Sequence, residues 1–239
     1  MPRRAEKLWR KPSHFEVELD DTTCIRTRSV ILANGVQYRR LPLDNLERLE
    51  GNGVYYAATK LEARFCKNTE AVIIGGGNSA GQAAMFLSRH AKHVHLLVRR
   101  DGLGETMSSY LSTRILNDPA ITLWTQSEVS KLDGESRLDV VHIKNRQTGE
   151  IKTIDSKALF IMIGAAPNTE WLDGQIGLDE KGFIKTGADV SLETQGYATS
   201  LPGIYAVGDI RSGSVKRVAS AVGEGSVVVS AVHGYLAER

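Results

Sequence analysis

The sequence predicts an α/β protein, and three observations carry that prediction. Residues 71–100 run as a short apolar segment (Ala71-Val72-Ile73-Ile74), a glycine cluster (Gly75-Gly76-Gly77-Asn78-Ser79-Ala80-Gly81), a helically spaced segment to Leu87, and a second apolar run (Val94-His95-Leu96-Leu97-Val98). That order is one strand–turn–helix–strand unit. Two more apolar runs, 159–163 and 204–207, each close on glycine, as buried strands do at the ligand-binding edge of an α/β sheet. Between residues 129 and 155 the apolar residues alternate instead, the period of an antiparallel meander.

The totals bound the class. With 239 residues, 41% hydrophobic and 24% charged, the chain has ordinary globular composition and room for one large or two small domains. A net charge of +2 argues against a nucleic-acid protein, and no apolar run reaches membrane-spanning length. Two cysteines, Cys24 and Cys66, exclude a disulfide scaffold and make a reducing, cytoplasmic compartment the default. The basic start, residues 1–11, has no apolar core behind it and reads as a solvated arm.

Residues 15–19 and 24–28 read as antiparallel strands around Asp20-Asp21. Residues 29–33 form a buried strand closed by Asn34-Gly35, which fits a ligand edge and an ordinary turn equally. The polar connector 38–42, with Pro42, marks a first domain crossing. After the 71–100 unit, residues 106–117 read as a helix with Met107, Leu111 and Ile115 on one face, stopped before Pro119. Strands follow at 121–124, 129–132, 138–144 and 151–155, with Thr148-Gly149 as a hairpin turn, and then at 159–163. A second crossing falls at 165–168, and a short strand at 182–185. Ile204–Val207 is a buried strand with Gly208-Asp209 at its end, where an aspartate accepts hydroxyl hydrogen bonds or caps a turn. From Val218 to Leu236 the spacing is helical, with Val222, Val229 and Val232 inward; Gly223 and Gly225 suggest close approach of a ligand or backbone.

The glycine turn carries chemistry. Gly75 permits a tight turn, Gly77 lets backbone approach a pyrophosphate, and Ala80 is the small residue where helix meets sheet. The helix N-terminus offers free N–H groups to phosphates. After Val98, where an NAD site carries an acid for the ribose, stand Arg99 and Arg100. Two guanidiniums fit a 2′-phosphate, so the reading is NADPH; the plainer alternative is a glycine turn beside a solvated basic pair.

Taken together, these motifs resemble the low-molecular-weight thioredoxin reductase family of two-dinucleotide-domain flavoproteins. Val30–Gly35 resembles its Ala-Thr-Gly crossing motif, Gly75–Ala80 its NADPH fingerprint, and Val98-Arg99-Arg100 its His-Arg-Arg motif. Residues 164–169 are similar to its domain-return segment, 203–209 to its second FAD motif, and Arg217-Val218-Ala219 to the segment that holds the flavin ring. The resemblance implies an NADPH-binding domain, residues 36–165, inserted in a partial FAD domain formed by residues 1–35 and 166–239. It implies hydride flow from NADPH to FAD, with Gly75, Gly76, Gly77, Asn78, Ser79, Ala80, Arg99 and Arg100 on NADPH. Ile163 and Gly164 would line the nicotinamide, and Asp209, Arg217, Val218 and Ala219 would meet the flavin. It also implies a homodimer, hinges near Val36 and Ala165, and a protein or small-molecule redox acceptor.

Two departures qualify the resemblance. The family's first FAD fingerprint has no counterpart here, so the FAD site is incomplete and the chain is read as the carboxyl-terminal part of a longer enzyme. The redox Cys-x-x-Cys falls at Ala57-Ala58-Thr59-Lys60, and neither Ala57 nor Lys60 can form a thiolate. Cys66 reads as a buried small residue, and Gly104 stands where a third basic residue is usual. The competing reading is a flavin-free NADPH-binding sensor or docking module.

Overall fold

The computed structural model describes residues 2–104 and 106–238; Met1, Glu105 and Arg239, at or within the assigned pieces, lie outside the described residues. The chain divides into two compact units, one of residues 38–164 and one formed by the chain up to Gln37 together with Ala165 onward.

The discontinuous unit begins with an antiparallel sheet of β1 (Ala5–Arg10), β2 (Phe15–Leu19) and β3 (Cys24–Thr27). This corrects the reading of residues 1–11 as a solvated arm. Leu8 is 1% exposed and pairs across from Val17, while Glu6, Lys7 and Arg10 lie toward solvent or at its edge. One inward apolar residue among charges hid the strand. β4 (Val30–Leu32) follows, buried only at Leu32; Ile31, on the other face, is 41% exposed. β5 (Val36–Tyr38) leads out of this unit.

The continuous unit places α1 (Leu46–Leu49), β6 (Val54–Tyr55) and α2 (Lys60–Ala63) before its central strands. Then come β7 (Glu70–Ile74), α3 (Asn78–Leu87), β8 (His93–Leu97), α4 (Ser109–Leu116) and β9 (Ile121–Trp124). β10 (Ser127–Asp133), β11 (Val140–Asn145) and β12 (Ile151–Ile161) complete it. The sheet runs β10-β11-β12-β7-β8-β9, with β6 also on β12. β7, β8 and β9 are parallel, and α3 buries Ala80, Ala83, Ala84 and Leu87 against them, on the face its spacing predicts.

The two strands read at 151–155 and 159–163 are one. β12 pairs antiparallel with β11 through Asp155, then parallel with β7 from Ser156. A bulge between Ser156 and Ala158 lets one strand serve both halves of the sheet, and Ser156 Oγ donates to the Glu70 carbonyl at 2.7 Å there.

Back in the first unit, β13 (Ala165–Pro167) pairs with β5, so the two connections run as one short ladder. Asn34 and Asn168 brace them, each Nδ2 donating to the other's carbonyl at 2.7 and 3.1 Å. The strand expected at 182–185 is reduced to single bridges of Ile184 with Leu178 and Arg211. β14 (Ile204–Ala206) pairs parallel with β4. α5 (Val218–Ala237) is the long final helix. It buries Glu224 and Val228, while Val222 and Val229, expected inward, are 67% and 47% exposed. Val222, Val227 and Val229 remain exposed because the helix meets its own unit along a narrow stripe around Glu224 and Val228. Beyond the backbone of α5 itself, nothing among the described residues lies within 4 Å of a Cβ built at Gly223 or Gly225, so no other backbone approaches them. Among the described residues no helix is long and apolar enough to cross a membrane.

Candidate nucleotide site

β7 delivers the chain to Gly75 at the carboxyl edge of the parallel strands. Gly75 has φ +143°, and a Cβ there would lie 2.4 Å from the Met162 carbonyl oxygen, at the end of β12. Only glycine fits both the torsion and that approach. Gly77, the N-cap of α3, has an ordinary φ of −99°, and a Cβ on it would meet only the Thr106 carbonyl at 3.7 Å. The N–H groups of the first helical turn have no partner within the helix, and that turn carries no acidic residue. The geometry is that of an anion site. Ala80 is fully buried, and Gly81 packs so closely on α4 that a Cβ would meet Leu111 Cδ2 at 2.6 Å.

β8 ends beside this turn, with the Gly75 N–H donating to the Leu97 carbonyl at 3.0 Å. Arg99 and Arg100 follow and are exposed. The Arg100 carbonyl accepts from the Gln126 N–H at 3.0 Å, which fixes the pair's backbone. Ile163 is half-buried in the core formed with β12, and Gly164 is exposed at φ +91° with open space around it. Gly75–Ala80, Arg99, Arg100, Ile163 and Gly164 therefore gather at one end of one sheet.

Two contacts of this turn have no sequence signal. Thr106 Oγ1 donates to the Gly76 carbonyl at 2.8 Å, and the Ser108 N–H donates to Asn78 Oδ1 at 2.8 Å. These bonds hold residues 106–108 as a turn, which is why the helix expected from Thr106 starts at Ser109.

Ala57 and Lys60 are exposed, and Thr59 between them caps α2: its hydroxyl accepts from the Leu61 N–H, and the Thr59 N–H donates to the Glu62 carboxylate. Cys66 is buried, and burial pushes its thiol up to about 12, so it holds its proton at neutral pH.

In the other unit, Gly208-Asp209-Ile210 forms a 3-10 turn after β14. Asp209 is half-buried, and its carboxylate engages no donor at hydrogen-bond distance among the described residues; its carbonyl accepts from Lys216 Nζ at 3.2 Å. Arg217 stands at the N-cap position of α5, with no capping bond from its side chain, and Val218 and Ala219 are exposed behind it. The anchor here, which the sequence did not reveal, is Glu224. Its carboxylate accepts from the Gly208 N–H at 2.6 Å and pairs with Arg211 Nη2 at 2.7 Å. Burial raises the Glu224 pKa, but Arg211 and the Gly208 N–H outweigh it, and the net shift is downward. A carboxyl with a lowered folded pKa stabilises above its unfolded value and loses that contribution on acidification. Glu224→Leu is expected to destabilise the unit by about 3 kcal/mol at pH 7 by stranding Arg211. The gap from wild type should shrink as pH falls below the ordinary glutamate range and through the lowered pKa of folded Glu224; chemical denaturation across pH checks both statements.

The sequence matches the family described as pyridine nucleotide-disulphide oxidoreductase over residues 4–225. Thioredoxin reductase of Streptomyces clavuligerus is 34% identical over 215 residues, covering 90% of this chain and 64% of the relative. That of Streptomyces coelicolor is 36% identical over 203 residues, covering 85% and 60%. The chain thus spans less than two thirds of the length of either relative. The crystal structure of thioredoxin reductase from Streptococcus pyogenes superposes with a TM-score of 0.78 at 27% identity, covering 99% of this chain and 74% of that one.

Proposed function

The chain belongs to the pyridine nucleotide-disulphide oxidoreductase family, and we propose that residues 38–164 hold NADPH as hydride donor to a flavin. The observation that carries the reading is the Gly75–Gly77 turn at the tip of α3 with Arg99 and Arg100 directly after β8. Gly75–Ala80 would hold the pyrophosphate through backbone amides, and the two guanidiniums the 2′-phosphate. Ile163 and Gly164 would flank the nicotinamide.

Residues 208–219 fit one end of a flavin. Asp209 offers a carboxylate for ribityl hydroxyls, and Arg217, Val218 and Ala219 offer a cationic and apolar border. No second glycine-rich turn opening a helix occurs in the sequence, so the adenosine end of FAD finds no such cradle here. Bound flavin supplies a two-electron acceptor for the nicotinamide hydride. The chain's own part is to bind, orient and screen. With Ala57 and Lys60 at the dithiol positions and Cys66 protonated, electrons would leave to an acceptor other than a disulfide at this site. A homodimer goes with this reading.

The second reading is a flavin-free NADPH-binding module. Adding FAD to the purified chain and following NADPH oxidation with a dye acceptor separates the two. Because the FAD site is incomplete, weak FAD binding is expected, with oxidation that rises with FAD added well above stoichiometric amounts, whereas NADPH binding with no response to FAD at any concentration supports the module. Reduction of thioredoxin by NADPH is expected to be negligible with FAD present; robust turnover would contradict the absence of a working dithiol.

A further inference from the structure

We infer that the edge strand β9 is fastened by an acid-sensitive hydrogen bond: the Trp124 indole N–H donates to His95 Nδ1, and a proton taken up by that nitrogen releases the indole. β9 ends the sheet order and pairs only with β8 among the described residues. Backbone bonds bracket it, from the Val94 N–H to the Ala120 carbonyl and from the Val98 N–H to the Trp124 carbonyl, both 2.9 Å. Two histidines of β8 add side-chain ties. His93 Nε2 lies 2.7 Å from Thr122 Oγ1, and the Trp124 indole nitrogen lies 3.0 Å from His95 Nδ1. On its other side, His95 Nε2 lies 2.8 Å from Glu70 Oε2 on β7.

The partners set the proton count. An indole N–H can only donate, so His95 Nδ1 presents its lone pair. A carboxylate can only accept, so Nε2 carries the proton of a neutral imidazole and shares it with Glu70. Both ring nitrogens are then satisfied, as a residue only 7% exposed requires. Imidazolium has no place in this arrangement, because a proton on Nδ1 would face the indole N–H. His93 differs: the Thr122 hydroxyl donates or accepts, so it serves either state of that ring. Besides Glu70, the charged and titratable groups that meet the pair among the described residues are His93 and Lys152. The His93 ring centroid lies 5.0 Å from that of His95, and the Lys152 ammonium of β12 lies 5.4 Å from the centre of the Trp124 ring. Burial disfavours a charge on His95, Glu70 favours it and His93 opposes it; burial prevails, and the His95 pKa lies below its ordinary value. The stability this neutral histidine contributes is therefore complete above about pH 6.5, the unfolded value. It is lost as pH falls from there through the folded value.

The fastening needs no nucleotide, so its test is run without one. The full chain carries nitrogen-15-labelled tryptophan and is followed by NMR from about pH 8 down to the onset of acid unfolding. Trp124 is assigned by the loss of its indole signal in Trp124→Phe, and His95 by the loss of its ring signals in His95→Gln. The Trp124 indole is expected to move to the position of a water-bonded indole in one proton step below about pH 6.5, together with the His95 ring signals. Trp9 and Trp171, in the other unit, should not follow that step. In His95→Gln, whose carboxamide can accept from the indole and donate to Glu70, the step should vanish with the indole still bonded. Glu70→Gln keeps an acceptor for Nε2 but removes the counter-charge, so the step should move to lower pH, with about tenfold weaker proton binding. By reciprocity, Trp124→Phe frees Nδ1 and should raise the proton affinity of His95 about fivefold, the equivalent of one hydrogen bond. An indole signal that stays in place while His95 titrates overturns the inference, as does the same step persisting in His95→Gln. So does a His95 that takes up no proton before the chain unfolds, or one whose titration is the same with and without Trp124.

Discussion

Replacing Arg99 and Arg100 together by alanine is expected to weaken NADPH about a hundredfold and NADH less than about threefold, since each charge-assisted phosphate contact is worth roughly tenfold at an exposed site. Both side chains are exposed after β8, and Arg99 has no ion pair among the described residues. Removal of the Arg99 guanidinium therefore leaves no buried counter-charge behind. Screening makes the effect salt-dependent: the NADPH advantage of the wild type should shrink as ionic strength rises, and the double variant should show little such dependence. Fluorescence titration at two salt concentrations reads both. Equal loss for the two nucleotides would mean that the arginines serve the shared pyrophosphate, or the fold, rather than the 2′-phosphate.

The second large effect is expected at Gly75, and its contrast is Gly77. Alanine at Gly75 must adopt φ +143° with its Cβ 2.4 Å from the Met162 carbonyl oxygen. Torsional strain and overpacking together should destabilise residues 38–164 by about 3–5 kcal/mol. A fall in Tm of about 10 °C or more follows for a unit of this size. Gly77→Ala meets ordinary contact with the Thr106 carbonyl at 3.7 Å at an ordinary φ, so its Tm should barely change. Its methyl would instead occupy the approach to the pyrophosphate and weaken NADPH and NADH alike. Thermal melts and titrations of the two variants thus separate a glycine needed by the fold from one needed by the ligand.

The core of residues 38–164 was legible because its signals are local. Apolar runs at 71–74 and 94–98 bracket a glycine cluster and a helix whose Ala80, Ala83, Ala84 and Leu87 face the sheet. Period and turn chemistry agree there, as they do in the meander of β10, β11 and β12. Where a strand carries one inward apolar residue among charges, as β1 does with Leu8, the pattern falls below notice. Where polar residues interrupt an apolar run, as Asp155-Ser156-Lys157 do in β12, continuity is hidden, because a bulge lets the strand change partners without ending. The valines of α5 illustrate the opposite error: apolar spacing on a helix says which face is sticky, not that this chain covers it.

The candidate site divides along the same line. The glycine turn and the arginine pair sit within one supersecondary unit and could be read directly. The Thr106 and Ser108 contacts span 30 residues and consist of a hydroxyl and a backbone N–H, groups that carry no pattern. Glu224 was equally silent, since an acid in a helix ordinarily faces water, and only the Gly208 N–H and Arg211 mark it as an anchor. These are the contacts that fix how the legible residues are held.

The account stands on a phosphorylated dinucleotide seated between the tip of α3 and the two arginines. Its most direct test is a paired titration of the unmodified chain with NADPH and NADH at low salt. Saturable, one-to-one binding of NADPH, at least about tenfold tighter than NADH, is the predicted result. Failure of either nucleotide to saturate, or equal affinity for both, would contradict it.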